Sequence, residues 1–189
     1  MAELKLDSKT TALVLIDLQN AILGMNPALY PAAQVFENSR KLAEVFRANG
    51  SPVVYVRVDL NDFLKLAVDL PHNLPDAPLP ATASEIAPSA GFQTGDILLT
   101  KRHWGAFAGT DLERQLKTRD VDTVVLAGIS TNMGVESTAR QGTGLGFAFV
   151  AVEDACSALD AEQHRFAFDK IFPRITRVRS TDEVRAAFA

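Results

Sequence analysis

The stretch TVVLAGISTNMGVESTAR, residues 123–140, passes from a continuous apolar run through a polar turn into a helix-like segment. Thr123–Ala127 is rich in β-branched residues with no polar alternation, which suits a strand covered on both faces. Gly128 to Asn132 turns, and a helix is expected to begin near Met133. Four more runs of this kind, Ala12–Ile16, Pro52–Val58, Ile97–Thr100 and Phe147–Val152, alternate with longer helix-like stretches; Ile175–Val178 adds a weaker sixth. Such strands, separated by helices, imply an α/β chain: a single-domain, doubly wound, Rossmann-like six-stranded parallel sheet with helices on both faces.

Local signals mark where helices start and stop. Val35, Phe36, Leu42, Val45 and Phe46 give a helix one apolar side, and Asn49-Gly50 ends it. Thr110-x-x-Glu113, Asp160-x-x-Gln163 and Ser180-x-x-Glu183 have the form of capping boxes. Gly142, Gly144 and Gly146 mimic a dinucleotide fingerprint but follow a helix and precede a strand, so they read as a helix end. From Asp59 to Asp96 the chain carries Pro71, Pro75, Pro78, Pro80 and Pro88, with little periodicity beyond Phe63–Leu70. So long a connection in a compact domain is expected to be a lid or a subunit contact.

Composition narrows the function classes. The 189 residues are 47% hydrophobic and 22% charged, enough for a full core on a soluble chain. The net charge of −4 and the lack of basic runs argue against nucleic-acid or anionic-membrane partners. No stretch approaches the roughly 18 apolar residues of a membrane span, and MAELKLDSKT lacks a signal-peptide layout, so a cytoplasmic location is expected. The single cysteine, Cys156, excludes an internal disulfide and is expected to be a buried core residue.

In a doubly wound sheet, ligands gather beyond the carboxyl ends of the strands. Asp17 ends the first strand there, Lys101 the third, and Glu153-Asp154 the fifth. Asp17 and Lys101 are expected to leave neighbouring strands and meet in one cleft, each offsetting the other's desolvation. The helix start after the fourth strand offers unpaired N–H groups to a developing negative charge, with Gly134 leaving open space beside them. Trp104 and Phe107 are expected to wall the cleft, Phe107 alternatively to pack in the core. Gln19, Ser130 and Met133 complete the expected substrate-binding set, with Gln19 and Asn20 alternatively serving as loop caps. His72, His103 and His164 do not fall at ligand spacing, and His103 reads as a polar surface or supporting residue.

Taken in order, Asp17 in LVLIDLQN, Lys101 in TKRHWGAFAGTDLE, then GISTNMGVESTAR and FVAVEDACSA, the chain resembles the isochorismatase-like, or cysteine-hydrolase, superfamily. The resemblance spans nearly the whole sequence, least so in the Pro-rich segment. It implies a catalytic Asp17 as general base, Lys101 assisting it, and Gly134 standing where thiol-bearing members carry their nucleophilic cysteine. It also implies a non-proline cis peptide joining Ile129 to Ser130, and assembly as a homodimer or homotetramer. Nicotinamidase-like members bind zinc through Asp-x-His and a second histidine; here Val58-Asp59-Leu60-Asn61-Asp62-Phe63 has none, so no metal or other cofactor is expected.

Without a thiol, hydrolysis through a thioester is excluded, since glycine cannot attack a carbonyl. True isochorismatases also lack the thiol and use the Asp as an acid on a vinyl ether. That role conflicts with a Lys ammonium beside Asp17, which lowers an acid's pKa; an anionic substrate that neutralises Lys101 would relieve the conflict. Isochorismate itself is a poor fit, because a dicarboxylate asks for more cations than Lys101 with Arg57 or Arg102 supplies. The expected activity is hydrolysis of a small molecule by water, with an enol ester or imine among the candidate substrates. The alternative is a catalytically retired small-molecule-binding protein of the same fold.

Overall fold

A computed structural model describes residues 3–72 and 74–188. Six strands, β1 (Thr11–Ile16), β2 (Val53–Val58), β3 (Ile97–Lys101), β4 (Thr123–Ile129), β5 (Ala148–Ser157) and β6 (Arg177–Arg179), form one sheet in the order β3-β2-β1-β4-β5-β6. Every pairing is parallel. The connections run one way from β1 and the other way from β4, so the crevice at the switch point opens beyond the carboxyl ends of those two strands.

Among the described residues seven α-helices accompany the sheet: α1 (Asn20–Leu23), α2 (Ala32–Ala48), α3 (Leu112–Lys117), α4 (Glu136–Gly144), α5 (Ala161–Phe166), α6 (Phe172–Ile175) and α7 (Thr181–Ala186). Right-handed crossovers in opposite directions put their helices on opposite faces. Accordingly α2 packs with α7, and α4 with α6. All six residues of β1 are buried, and Val35, Phe36, Leu42 and Phe46 of α2 close the core over it. Truncating such a side chain to alanine costs about 2–5 kcal/mol.

The helix ends follow local chemistry. Gly50 adopts φ +73° just beyond α2. After α4, Gly146 N–H bonds Thr143 O and Phe147 N–H bonds Gly142 O, both at 3.1 Å; these are the paired bonds of a Schellman end, so the glycine triplet is a helix terminus. The Ser180/Glu183 box is fully formed. Two expected boxes are not. Asp160 accepts from Glu162 N–H, but Gln163 reaches across to Asn132 instead of back to its own cap. Thr110 takes Leu112 N–H, while Glu113 is drawn to Lys117 one turn along.

β5 runs further than its apolar core suggests. Its register with β4 jumps between Leu126 and Gly128, and the extra residues, Glu153 and Asp154 among them, form a bulge before Cys156 and Ser157 rejoin the ladder. Glu153-Asp154 therefore does not end the strand, and Asp154 instead accepts from the Thr181 N–H and hydroxyl at the start of α7.

Candidate active site

Ile16 and Gly128 face each other across β1 and β4. Gly128 has φ +133°, and a Cβ there would lie 2.2 Å from Ile16 O, so a side chain cannot be accommodated. This close approach brings the end of β1 against the turn that follows β4. Asp17, the next residue, has φ +55°, a left-handed conformation that Asp tolerates better than most residues and that recurs at functional sites. Its N–H is held by Val56 O and its carbonyl by Gln19 N–H, both at 2.8 Å.

Lys101 closes β3, which is separated from β1 by β2. The two charges thus do not come from neighbouring strands; at about 4.8 Å per strand spacing the backbones lie roughly 10 Å apart. The long lysine stem spans that gap, and Nζ donates to Asp17 Oδ2 at 2.8 Å and to His103 O at 2.9 Å. Lys101 is 2% and Asp17 8% exposed. Asp17 Oδ1 is buried without a hydrogen-bond partner among the described residues.

Burial dominates the titration of Asp17. It pushes the carboxyl up to about 6, against the lowering effect of the Lys101 charge and hydrogen bond. Desolvation penalises the ionised form more than one ammonium rewards it. Burial thus opposes, and outweighs, the effect of the neighbouring lysine on Asp17.

The turn after β4 contains the cis peptide Ile129–Ser130 and a wide π-type turn, Thr131–Val135, leading into α4. α5 fixes it from outside: His164 Nδ1 shares a 2.8 Å hydrogen bond with Thr131 Oγ1, and Gln163 accepts from Asn132. α4 fixes it from within, where Thr138 Oγ1 donates to Gly134 O and accepts from Ala106 N–H. Gly134 does not leave open space. A Cβ there would sit 2.8 Å from Ile16 Cγ2 and 3.1 Å from Asp17 Oδ2, so the neighbours have closed over the position a side chain would take.

A cavity of about 220 Å³ joins these pieces, lined by Asp17, Lys101, Trp104, Ser130, Met133 and Gly134. Its remaining wall is Ile22, Met25, Val58, Leu60, Phe63, His72, Leu74, Ile129 and Leu159. Sequence reasoning missed most of that apolar wall. Ile22, Met25 and Leu159 do follow strand ends, and Phe63 heads the apolar run of the Pro-rich segment, which were usable signals. His72, an isolated histidine between prolines, gave none.

Two expected site residues fall elsewhere. Gln19 does not reach the cavity; its amide is spent on Val58, donating to the carbonyl at 3.0 Å and accepting the N–H at 2.6 Å. Phe107 stacks on Phe147 at 5.6 Å as core packing. Asn20 bonds Thr82 O, tying α1 to the Pro-rich segment. Cys156 lies fully buried in β5, where burial raises its thiol pKa.

The Pro-rich segment covers the cavity. Asn61 and Leu79 exchange two 2.9 Å hydrogen bonds that close its first loop. Phe63 and His72 of this segment join His103 and Trp104, which follow β3, in one aromatic cluster, and Trp104 Nε1 donates to His72 Nε2 at 2.9 Å. His103 is held below the ordinary imidazole pKa by burial, then by His72 and Lys101. Among the described residues no three His, Cys, Asp or Glu side chains converge as a metal site, and no helix is long and apolar enough to cross a membrane.

Comparison with known proteins gives a consistent picture. The sequence profile of the isochorismatase domain matches residues 11–183. The uncharacterised isochorismatase family protein YecD of Escherichia coli O157:H7 is 50% identical over 185 residues, covering 96% of this chain and 97% of that protein. A solved isochorismatase family protein from Burkholderia thailandensis superposes with a TM-score of 0.92 at 37% identity, covering 98% of both chains. More distantly, the ureidoacrylate amidohydrolase RutB of Acinetobacter baylyi is 27% identical over 188 residues, covering 86% of this chain and 77% of that protein.

Proposed function

This chain belongs to the isochorismatase family, and on that premise we propose that it hydrolyses a small molecule with Asp17, Lys101 and water, without a covalent thiol intermediate. One observation carries the reading. In the cavity a carboxylate with a pKa of about 6 turns one oxygen to Lys101 and leaves the other without a hydrogen-bond partner among the described residues. Near neutral pH the carboxylate is mostly ionised, so Oδ1 can take a proton from an attacking water. Lys101 holds Oδ2 and offers positive charge to the oxygen that becomes negative. Gly134 supplies no nucleophile, and Cys156 is sealed in the sheet. The cleft thus holds a base and a cation but no thiol, and RutB, a distant relative, acts as an amidohydrolase.

The experiment is a panel of amides, esters and vinyl ethers, assayed on wild type, Asp17→Asn and Lys101→Met, with circular dichroism to verify folding. Hydrolysis that drops by about 10²–10⁴ in folded Asp17→Asn supports the base. For a base, kcat/KM falls as pH drops through about 6, because protonation removes the acceptor. A rate that falls instead as pH rises through that value makes Asp17 an acid and overturns the base role. Ligand binding with no turnover, unaffected by Asp17→Asn, is the retired-pocket outcome.

A homodimer or homotetramer fits the same reading, because Leu66, Val68 and Leu70 of the covering segment are left exposed and a second copy would shield them. Sedimentation velocity giving the mass of one protomer would exclude it.

A further inference from the structure

The chemistry of the cavity wall limits what can occupy it, and the inference below rests on the Asp17/Lys101 cavity being the substrate site. Its volume of about 220 Å³ lies under the roughly 300 Å³ at which pockets for drug-sized ligands begin. Ile22, Met25, Leu60, Phe63, Leu74 and Leu159 make most of it apolar. The carboxylate and ammonium that line it already neutralise each other at 2.8 Å.

The nearby arginines are committed elsewhere. Arg57 donates to Thr100 Oγ1, and Arg102 pairs with Asp62 at 2.7 Å; neither lines the cavity. Trp104 N–H is taken by His72, and Ser130 Oγ donates to Asn132. A carboxylate ligand would bring a second anion to Asp17 and share with it one ammonium, a desolvated arrangement that opposes binding. Asp17 Oδ1, by contrast, is a buried acceptor without a donor among the described residues, and such a group is costly unless something donates to it.

We propose that the substrate is an uncharged, compact molecule, about one ring with a short substituent, whose polar end donates an N–H or O–H hydrogen bond to Asp17 Oδ1. The selectivity is set by what the wall lacks among the described residues, a second cation beside Lys101, as much as by what it offers.

The test is binding, measured by calorimetry at neutral pH with four small probes: benzamide and benzyl alcohol (uncharged donors), anisole (uncharged, no donor) and benzoate (anionic). Wild type is expected to bind the two donors at least about tenfold more tightly than benzoate, and Asp17→Asn to shrink the advantage of the donors over anisole. Leu74→Arg, which places a cation in the covering loop and spares the core, is expected to raise benzoate affinity selectively. Benzoate binding as tightly as benzamide, or neither donor binding above benzoate, overturns the proposal. Because binding is read without turnover, this failure is distinct from that of the hydrolase reading: a chain that binds the donors but hydrolyses nothing loses the latter alone, and one that hydrolyses an anionic substrate best loses this inference alone.

Discussion

At Gly134 the difference between a missing side chain and a vacant space decides what engineering can recover. The residue lies where a thiol would be sought, yet a Cβ there meets Ile16 Cγ2 at 2.8 Å. Ile16 is β-branched, fully buried in β1 and has few rotamers to escape into. Gly134→Ala should therefore destabilise the fold by about 1–3 kcal/mol through overpacking. Ile16→Ala should cost about 2–5 kcal/mol on its own. In the double variant the two losses should fall short of their sum by more than about 0.5 kcal/mol, as contacting residues do. Denaturant unfolding of the four proteins measures this, and strict additivity would place Ile16 away from Gly134. The same collision means that Gly134→Cys should not by itself regain a thiol-dependent amidase, although from sequence that glycine reads as open space.

At the scale of elements, the turn after β4 is held between α4 and α5, and its outer fastening is titratable. His164 is fully buried, bonded through Nδ1 to Thr131, with Nε2 unpartnered among the described residues. Burial lowers its pKa from 6.5 to about 4, helped by Arg165 and opposed by Asp169. Between those values the unfolded chain holds a proton that the folded one lacks, so this stabilising contribution is intact above about pH 6.5 and is lost as pH falls toward 4. His164→Gln, which keeps an acceptor for Thr131, should remove that dependence. The melting temperature of wild type should therefore fall more steeply than that of the variant between about pH 7 and about pH 4.5; parallel curves would contradict it. None of this was visible in the sequence, where His164 is one histidine among three. The strands themselves were legible, because those covered on both faces must be apolar throughout. Their ends were less so. β5 hides acidic residues in a bulge, and an apolar run carries no sign of which strands will be neighbours, so Lys101 was placed one strand too close to Asp17.

For the whole molecule, the sheet order turns a set of weak signals into one site. Asp17, Lys101, Trp104, Ser130, Met133 and Gly134 were legible because each follows a strand end on one edge, and the parallel fold gathers that edge. Position along the chain does not reveal direction: Phe107 takes the core-packing alternative that the sequence left open, and the Gln19 amide is spent on the Val58 backbone instead of the cavity. That the Pro-rich segment covers something was legible from its length, but which of its side chains, Leu60, His72 and Leu74 among them, line the cavity was not, since such a segment has little periodicity to read. What the assembled fold adds is burial, and burial is what lifts Asp17 against the pull of Lys101. The carboxyl carbon of Asp17, followed by NMR from acid to neutral pH in the unliganded protein, reports that balance without any knowledge of the substrate. An inflection near pH 6 is the expected result. An inflection at or below the ordinary carboxylate value of 3.8 would show that the ion pair outweighs burial, and would contradict the proposal of Asp17 as a base poised near neutral pH.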